Sequence, residues 1–137
     1  MTTQLATRLT DDARQIYPET LYYAERISEC GHQPVYKKLL PDGEPTQLSP
    51  KPSQKLWNHS PDGFQWGYGG SGPAQLAMAL LMDATTDPDT ALAFYQRFKW
   101  DKVAGWGEKW SILRSEILLW IAEEQKKQFE AMTIANQ

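Results

Sequence analysis

The feature that most restricts the fold is a glycine-rich run that leads directly into an apolar, alanine-rich stretch. Residues 63–81 read GFQWGYGGSGPAQLAMALL, with glycine at five of the first ten positions. The apolar residues that follow recur at helical spacing and predict a helix over about 73–84. The chain must therefore turn tightly at 67–72 and enter an amphipathic helix from that turn.

Two β-prone segments precede this run and predict a hairpin. Residues 21–27 and 34–40 are rich in tyrosine, valine, leucine and isoleucine, and Gly31 lies in the turn between them. Apolar residues also alternate at 64–66, which favours a further strand that pairs near the first one. These segments predict a small antiparallel sheet in the first half of the chain.

Two more helices are predicted in the second half. Asp87 and Pro88 supply an N-cap and a proline at the first helical position for a helix over 88–100. Apolar residues of 112–130 share one face of a last helix. Strands come first and helices afterwards, so the sequence predicts an α+β fold whose small sheet is covered by about three helices.

The length of 137 residues predicts a single domain over 1–137. Residues 1–20 are interpreted as an N-terminal extension, in which 3–17 carry a thin apolar stripe typical of a short helix. Residues 41–56 contain four prolines and are interpreted as a loop that folding does not need.

Charge and cysteine content exclude several classes of protein. A net charge of −3 and a pI near 5.4 lack the basic footprint of nucleic-acid binding, so we expect no such partner. Cys30 is the single cysteine, which excludes an internal disulfide and favours a cytoplasmic location. The longest apolar run is too short for a membrane span, and two histidines with one cysteine make no metal cluster. We therefore expect no membrane, metal or cofactor.

The glycine-rich turn is the candidate site. Backbone N–H groups and the helix dipole would attract an anion there, and glycines would let a phosphate or carboxylate approach closely. The run lacks the lysine of a P-loop and the acidic partner of a dinucleotide-binding fingerprint. The alternative is that the glycines serve only a tight turn. The candidate ligand-binding residues are Arg26, Trp66, Tyr68, Gly70, Ser71, Gly72 and Gln75.

Individual residues suit particular roles in such a site. The planar guanidinium of Arg26 matches a carboxylate or phosphate, and Trp66 and Tyr68 could stack against a ring. An enzymatic alternative would combine Arg26 with His59 as base and Ser71 as nucleophile. No acid is placed by the sequence to orient the histidine, which favours a non-enzymatic binding function.

Residues 58–77 read NHSPDGFQWGYGGSGPAQLA and resemble the signature of a family of small uncharacterised bacterial and phage proteins. The resemblance extends over about 22–121 and implies one compact domain, but no catalytic assignment. Three hypotheses follow. The protein binds a small anionic or nucleotide-like ligand, or a protein partner, around 67–75; it is a hydrolase- or transferase-type enzyme; or it is a phage- or plasmid-type accessory protein that antagonises host defence.

Overall fold

A computed structural model describes residues 18–135 of the chain. Its elements in chain order are β1 (Thr20–Glu25), β2 (Tyr36–Leu39), β3 (Thr46–Gln47), α1 (Lys51–Leu56), α2 (Ser71–Thr85), α3 (Pro88–Asp101), a 3₁₀ turn (Val103–Gly105), β4 (Lys109–Leu113) and α4 (Arg114–Ala135). The predicted α+β fold, with its helices concentrated in the C-terminal half, is confirmed. The helix expected at 3–17 lies outside the described residues.

The sheet is antiparallel, with strand order β3-β2-β1-β4. The predicted hairpin is present, and Tyr23 of β1 lies opposite Tyr36 of β2. On its other side Tyr23 lies opposite Ser111 of β4. Tyr22 and Ala24, which alternate with these residues, are buried against the helices. The sheet therefore has one buried face and one open face.

The strand predicted at 64–66 is wrong, because β4 occupies the position beside β1. Isolated hydrogen bonds, and not a strand ladder, hold the backbone of 64–66, and one of them runs from Gln33 N to Phe64 O at 3.0 Å. Phe64 N donates to His32 Nδ1 at 2.9 Å, and Trp66 O accepts from Arg26 Nη2 at 3.0 Å. Phe64 and Trp66 are fully buried, so their alternation reflects burial without strand pairing.

Helix α2 forms the centre of the core. Every residue from Gly72 to Leu81 is buried, which is a much wider apolar surface than the single stripe expected from the sequence. A helix that is buried on all sides is typical of a central element. Three tryptophans extend the core beside it: Trp66 meets Trp110 edge to face at 5.7 Å, and Trp106 stacks on Trp110 at 4.1 Å between ring centroids.

The proline-rich segment 41–56 is more ordered than a loop, since it contains β3 and α1. Leu48 is buried with the core, and Ser53 is fully buried. The interpretation that folding does not need this segment conflicts with that packing. Shortening it would remove core contacts as well as chain length.

Helix α4 leaves the core partway along its length. Ile117, Ile121 and Glu124 are buried, whereas the residues from 125 to 135 are exposed. None of the helices within residues 18–135 combines the length and the apolar character needed to cross a membrane.

Candidate ligand-binding site

An open cleft of about 660 Å³ lies at the N-terminal end of α2. Its walls are the connection at 29–31, the segment 60–68 and the first turn of α2. The cleft brings together five of the residues proposed from the sequence, which are Arg26, Trp66, Tyr68, Ser71 and Gly72. The glycine-rich turn thus borders a concave surface.

The first turn of α2 presents open donors to this cleft. The N-cap residue of α2 is Gly70, which has no side chain that could cap the helix, and the first turn contains no acidic residue. The first helical bond runs from Ala74 N to Gly70 O at 3.1 Å, so Ala74 N is not free to bind a ligand. The N–H groups of Ser71 and Gly72 have no acceptor among the described residues. They leave the positive end of the helix dipole uncompensated.

The glycines around this turn serve close packing more than unusual dihedral angles. Gly67 has a positive φ of 87°, whereas Gly69, Gly70 and Gly72 do not have positive φ values. A Cβ on Gly72 would lie 2.6 Å from Gln65 Cβ, so the helix start and the segment 64–66 could not approach as they do. The rings of Trp100 and Tyr68 cover Gly69 and Gly70. The space above Gly70, where an anion was expected, is therefore filled by an aromatic ring.

Arg26 joins the sheet to one wall of the cleft through its side chain. Nη1 donates to Gln65 Oε1 at 2.9 Å, and Nη2 donates to Trp66 O at 3.0 Å. The guanidinium also lies 4.9 Å from the Trp66 ring centroid. Its ion pair with Glu108, at 3.3 Å, involves a carboxylate that is 80% exposed and contributes at most about 1 kcal/mol. Arg26 thus lies at the cleft, but protein groups already use much of its donor capacity.

Trp66 is a core residue, although its segment borders the cleft. It is fully buried, and its Nε1 donates to Gly107 O at 2.7 Å. The indole therefore offers no free face for the ring stacking expected from the sequence. Tyr68, which is 52% exposed, is the aromatic residue of the cleft that a ligand can reach.

Gln75 is also fully buried and supports the segment before the cleft. Its Oε1 accepts from His59 N at 2.7 Å and from Ser60 N at 3.0 Å. Its Nε2 donates to Ser53 Oγ at 2.9 Å and to Trp57 O at 3.2 Å. All of the hydrogen-bonding capacity of this amide is used within the protein, so Gln75 does not line the site.

His59 does not line the cleft that contains Arg26 and Ser71. Its Nε2 lies 2.7 Å from the Tyr95 hydroxyl, and Trp57 stacks on its ring at 5.1 Å. Partial burial, with a smaller effect of the Lys99 charge, lowers the pKa of His59. The enzymatic alternative needs all three residues in one cleft, and the structure does not bring them together there.

The residues of the cleft that were not proposed from the sequence include Glu29, Cys30 and Asp62. They lie in turns, where polar residues are common, so no pattern distinguishes them. The carboxylates of Glu29 and Asp62 give the cleft hydrogen-bond acceptors beside the donors of α2. Among residues 18–135, no three His, Cys, Asp or Glu side chains are grouped as metal ligands.

His32 links the hairpin to the wall of the cleft. Its Nδ1 accepts a hydrogen bond from Phe64 N, and its ring packs at 5.6 Å from the Phe64 ring. Desolvation by this packing lowers the pKa of His32. Protonation of Nδ1 would convert the acceptor into a donor that faces another donor.

We expect the free energy of unfolding to fall as the pH is lowered from about 7.5 to about 5.5. His32 and His59 are neutral in the folded protein at pH values where the unfolded chain, with a pKa near 6.5, already binds protons. Stability therefore rises with pH in the window below 6.5. Urea denaturation at several pH values measures this slope.

His32→Asn is the matched variant, because Asn Oδ1 can accept from Phe64 N but does not titrate. A smaller slope in His32→Asn, with His59 accounting for what is left, is the expected result. An equal slope in both proteins would show that His32 does not contribute.

The fold and the cleft together define an α+β protein with an open cleft at the start of its central helix. The chain belongs to DUF6166, a family of unknown function whose sequence model matches residues 29–123. No curated protein and no solved structure matches the chain. The matched range contains every residue that lines the cleft except Arg26.

Proposed function

We propose that this protein is a non-enzymatic binding protein whose cleft takes a small, nucleotide-like ligand by its anionic group. The observation that carries the proposal is the first turn of α2, where the N–H groups of Ser71 and Gly72 lie without acceptors among the described residues. An anion at a helix N-terminus is typically stabilised by about 0.3–1 kcal/mol. Oriented N–H groups make the same position a binding site for phosphate.

The other groups of the cleft support a ligand with more than an anionic group. Tyr68 offers a half-exposed ring, and Glu29 and Asp62 can accept hydrogen bonds from hydroxyl or amino groups. Arg26 adds positive charge on the wall that carries Trp66. Glu29 and Asp62 share the cleft with Arg26 and can bind hydroxyl or amino groups that a bare phosphate lacks. Phosphate alone should therefore bind more weakly than a nucleoside monophosphate.

A protein partner at the same turn is the second candidate function. Two large aromatic side chains over Gly69 and Gly70 are half exposed or more, namely Tyr68 at 52% and Trp100 at 64%. Exposed aromatic residues are enriched at protein interfaces. Under this function, small anions would not stabilise the protein.

Thermal denaturation with phosphate, sulfate and nucleoside monophosphates tests the ligand proposal. A ligand present at about ten times its Kd raises the free energy of unfolding by about 1.4 kcal/mol, which corresponds to a rise in Tm of about 5 °C. We expect a saturable rise for at least one nucleoside monophosphate and a smaller one for phosphate. No rise across the panel would contradict the proposal and favour the protein partner.

Ser71→Asp is the most informative variant for this test. Its carboxylate would lie at the start of α2, raise the Tm by complementing the dipole, and compete with a ligand's anionic group. We expect the ligand-induced rise to disappear. Gln125→Glu, which makes the same change in net charge on the exposed part of α4, should keep the full rise. Loss of the rise in both variants would indicate a general charge effect.

A further inference from the structure

Strand β4 forms one edge of the sheet. Arg26 N donates to Glu108 O at 2.8 Å, and the register of β1 with β4 continues from this pair. In an antiparallel ladder, hydrogen-bonded pairs alternate with pairs that are not hydrogen bonded. Trp110 and Ile112 therefore direct their backbone groups toward β1, and the residues between them direct theirs outward.

The outward groups of β4 belong to Lys109, Ser111 and Leu113. Leu113 N is already bound, because it donates to Glu116 Oε1 at 3.1 Å. Within residues 18–135, the N–H and C=O groups of Lys109 and Ser111 on this edge have no partner. Two residues that flank Trp110 thus present a short open edge, whose chemistry fits the backbone of another strand.

We propose that this edge pairs with the same edge of a second copy of the chain, around a two-fold axis at Trp110. Lys109 then lies opposite Ser111 of the second copy, and the reciprocal pair is identical by symmetry. Both are hydrogen-bonded pairs, so the register forms four backbone hydrogen bonds.

The charge of Lys109 and the hydrogen bond of Leu113 N both favour this register over the two neighbouring ones. Centring the axis on Lys109 would place two lysines directly opposite each other, which is unfavourable. Centring it on Ser111 would pair Lys109 with Leu113, whose N–H is already used by Glu116. The register at Trp110 avoids both conflicts.

The open face beside this edge is also complementary to itself. Ile27, which follows Arg26, is 71% exposed. Because Arg26 pairs with Glu108, the next residue along each segment brings Gly107 beside Ile27. The space around Gly107 is open. In the proposed register, Leu113 of the second copy lies opposite Gly107 and would cover Ile27.

The apolar surface continues from there across the sheet. A groove of about 650 Å³ on this face adjoins β4. Its apolar and aromatic side chains include Leu21, Tyr23, Ile27 and Tyr36. Because the paired edge is short, the dimer belongs among weak, concentration-dependent associations.

Sedimentation velocity of the full chain, from about 1 to about 300 µM, measures the dimer Kd. Ser111→Glu places a carboxylate opposite Lys109 in both symmetric pairs, whereas Ser111→Lys places two like charges there. We expect Ser111→Glu to lower the dimer Kd about fivefold and Ser111→Lys to raise it about fivefold. Adding Lys109→Glu to Ser111→Lys should restore dimerisation to at least the level of the original protein.

Ser111→Pro is a second variant that tests the backbone directly. It removes an outward N–H and leaves the bonds from β4 to β1 in place, so it should weaken the dimer while an unchanged circular dichroism spectrum shows that the fold is retained. A protein that is monomeric over the whole concentration range would overturn the proposal and indicate that Lys109 protects the edge. A dimer whose Kd is the same in all Ser111 variants would overturn it as well.

Discussion

Replacement of Gln75 by methionine is expected to lower the free energy of unfolding by about 3 kcal/mol. Methionine has about the same length as glutamine and is apolar, so it fits the core. The four hydrogen bonds of the Gln75 amide are lost. Ser60 N would then lose its acceptor, and His59 N would keep only its longer bond to Trp57 O at 3.2 Å. Ser53 Oγ, fully buried, would lose its donor. An unsatisfied buried group costs about 1–3 kcal/mol, which sets the expected size.

Urea denaturation of Gln75→Met beside Gln125→Met measures this effect. Gln125 lies on the exposed part of α4, so the same change there should alter stability by less than about 0.5 kcal/mol. Similar small losses in the two variants would mean that water replaces Gln75 at little cost. The predicted result would establish 53–60 as a segment held in place by α2.

Replacement of Gly72 by alanine is expected to lower the free energy of unfolding by about 2 kcal/mol. The added methyl group would lie 2.6 Å from Gln65 Cβ and 3.1 Å from Gln65 N, and the backbone atom cannot move without shifting the wall of the cleft. Alanine is the better helix former by up to about 1 kcal/mol, so the clash must exceed that gain. The cause is close approach, since Gly72 does not have a positive φ.

Gly105→Ala is the control for this variant. A Cβ on Gly105 would meet nothing within 4 Å, and its φ is not positive. We expect a change of less than about 0.5 kcal/mol at this position. If Gly72→Ala were as stable as Gly105→Ala in the same denaturation experiment, Gln65 would have to be free to move away from α2.

The helices were predictable because their signals are local. The Asp87–Pro88 pair marks the start of α3, and the apolar residues after the glycine run mark α2 within two residues of its observed start. The β1–β2 hairpin also follows from adjacent segments. Such features need no knowledge of which distant segments meet.

The third strand was assigned to the wrong segment for a physical reason. Alternation at 64–66 comes from two buried aromatic residues whose backbone is held by isolated bonds from side chains and from Gln33 N. The true partner of β1 is Lys109–Leu113, in which buried Trp110 and Ile112 alternate with exposed residues. That pattern was present, but the predicted last helix began at 112 and included its end.

The candidate site was predictable at Arg26 and in the chain around the start of α2. The cleft does contain Tyr68, Ser71 and Gly72. Trp66 and Gln75 were assigned to the ligand, because a sequence does not show that Gly107 and the 53–60 segment satisfy their polar atoms. Glu29 and Asp62 reach the cleft through long-range packing, which has no local signature.

The stacked pair of Trp106 and Trp110 gives the protein an internal optical reporter. Because the two indoles lie 4.1 Å apart between centroids, we expect their electronic transitions to couple and to give paired bands of opposite sign in a circular dichroism spectrum. The pair exists only when the 3₁₀ turn and β4 are both in place. Trp66, which packs edge-on against Trp110, joins this pair to the wall of the cleft. Spectroscopy of the unlabelled protein can therefore follow that wall through denaturation and through ligand titration.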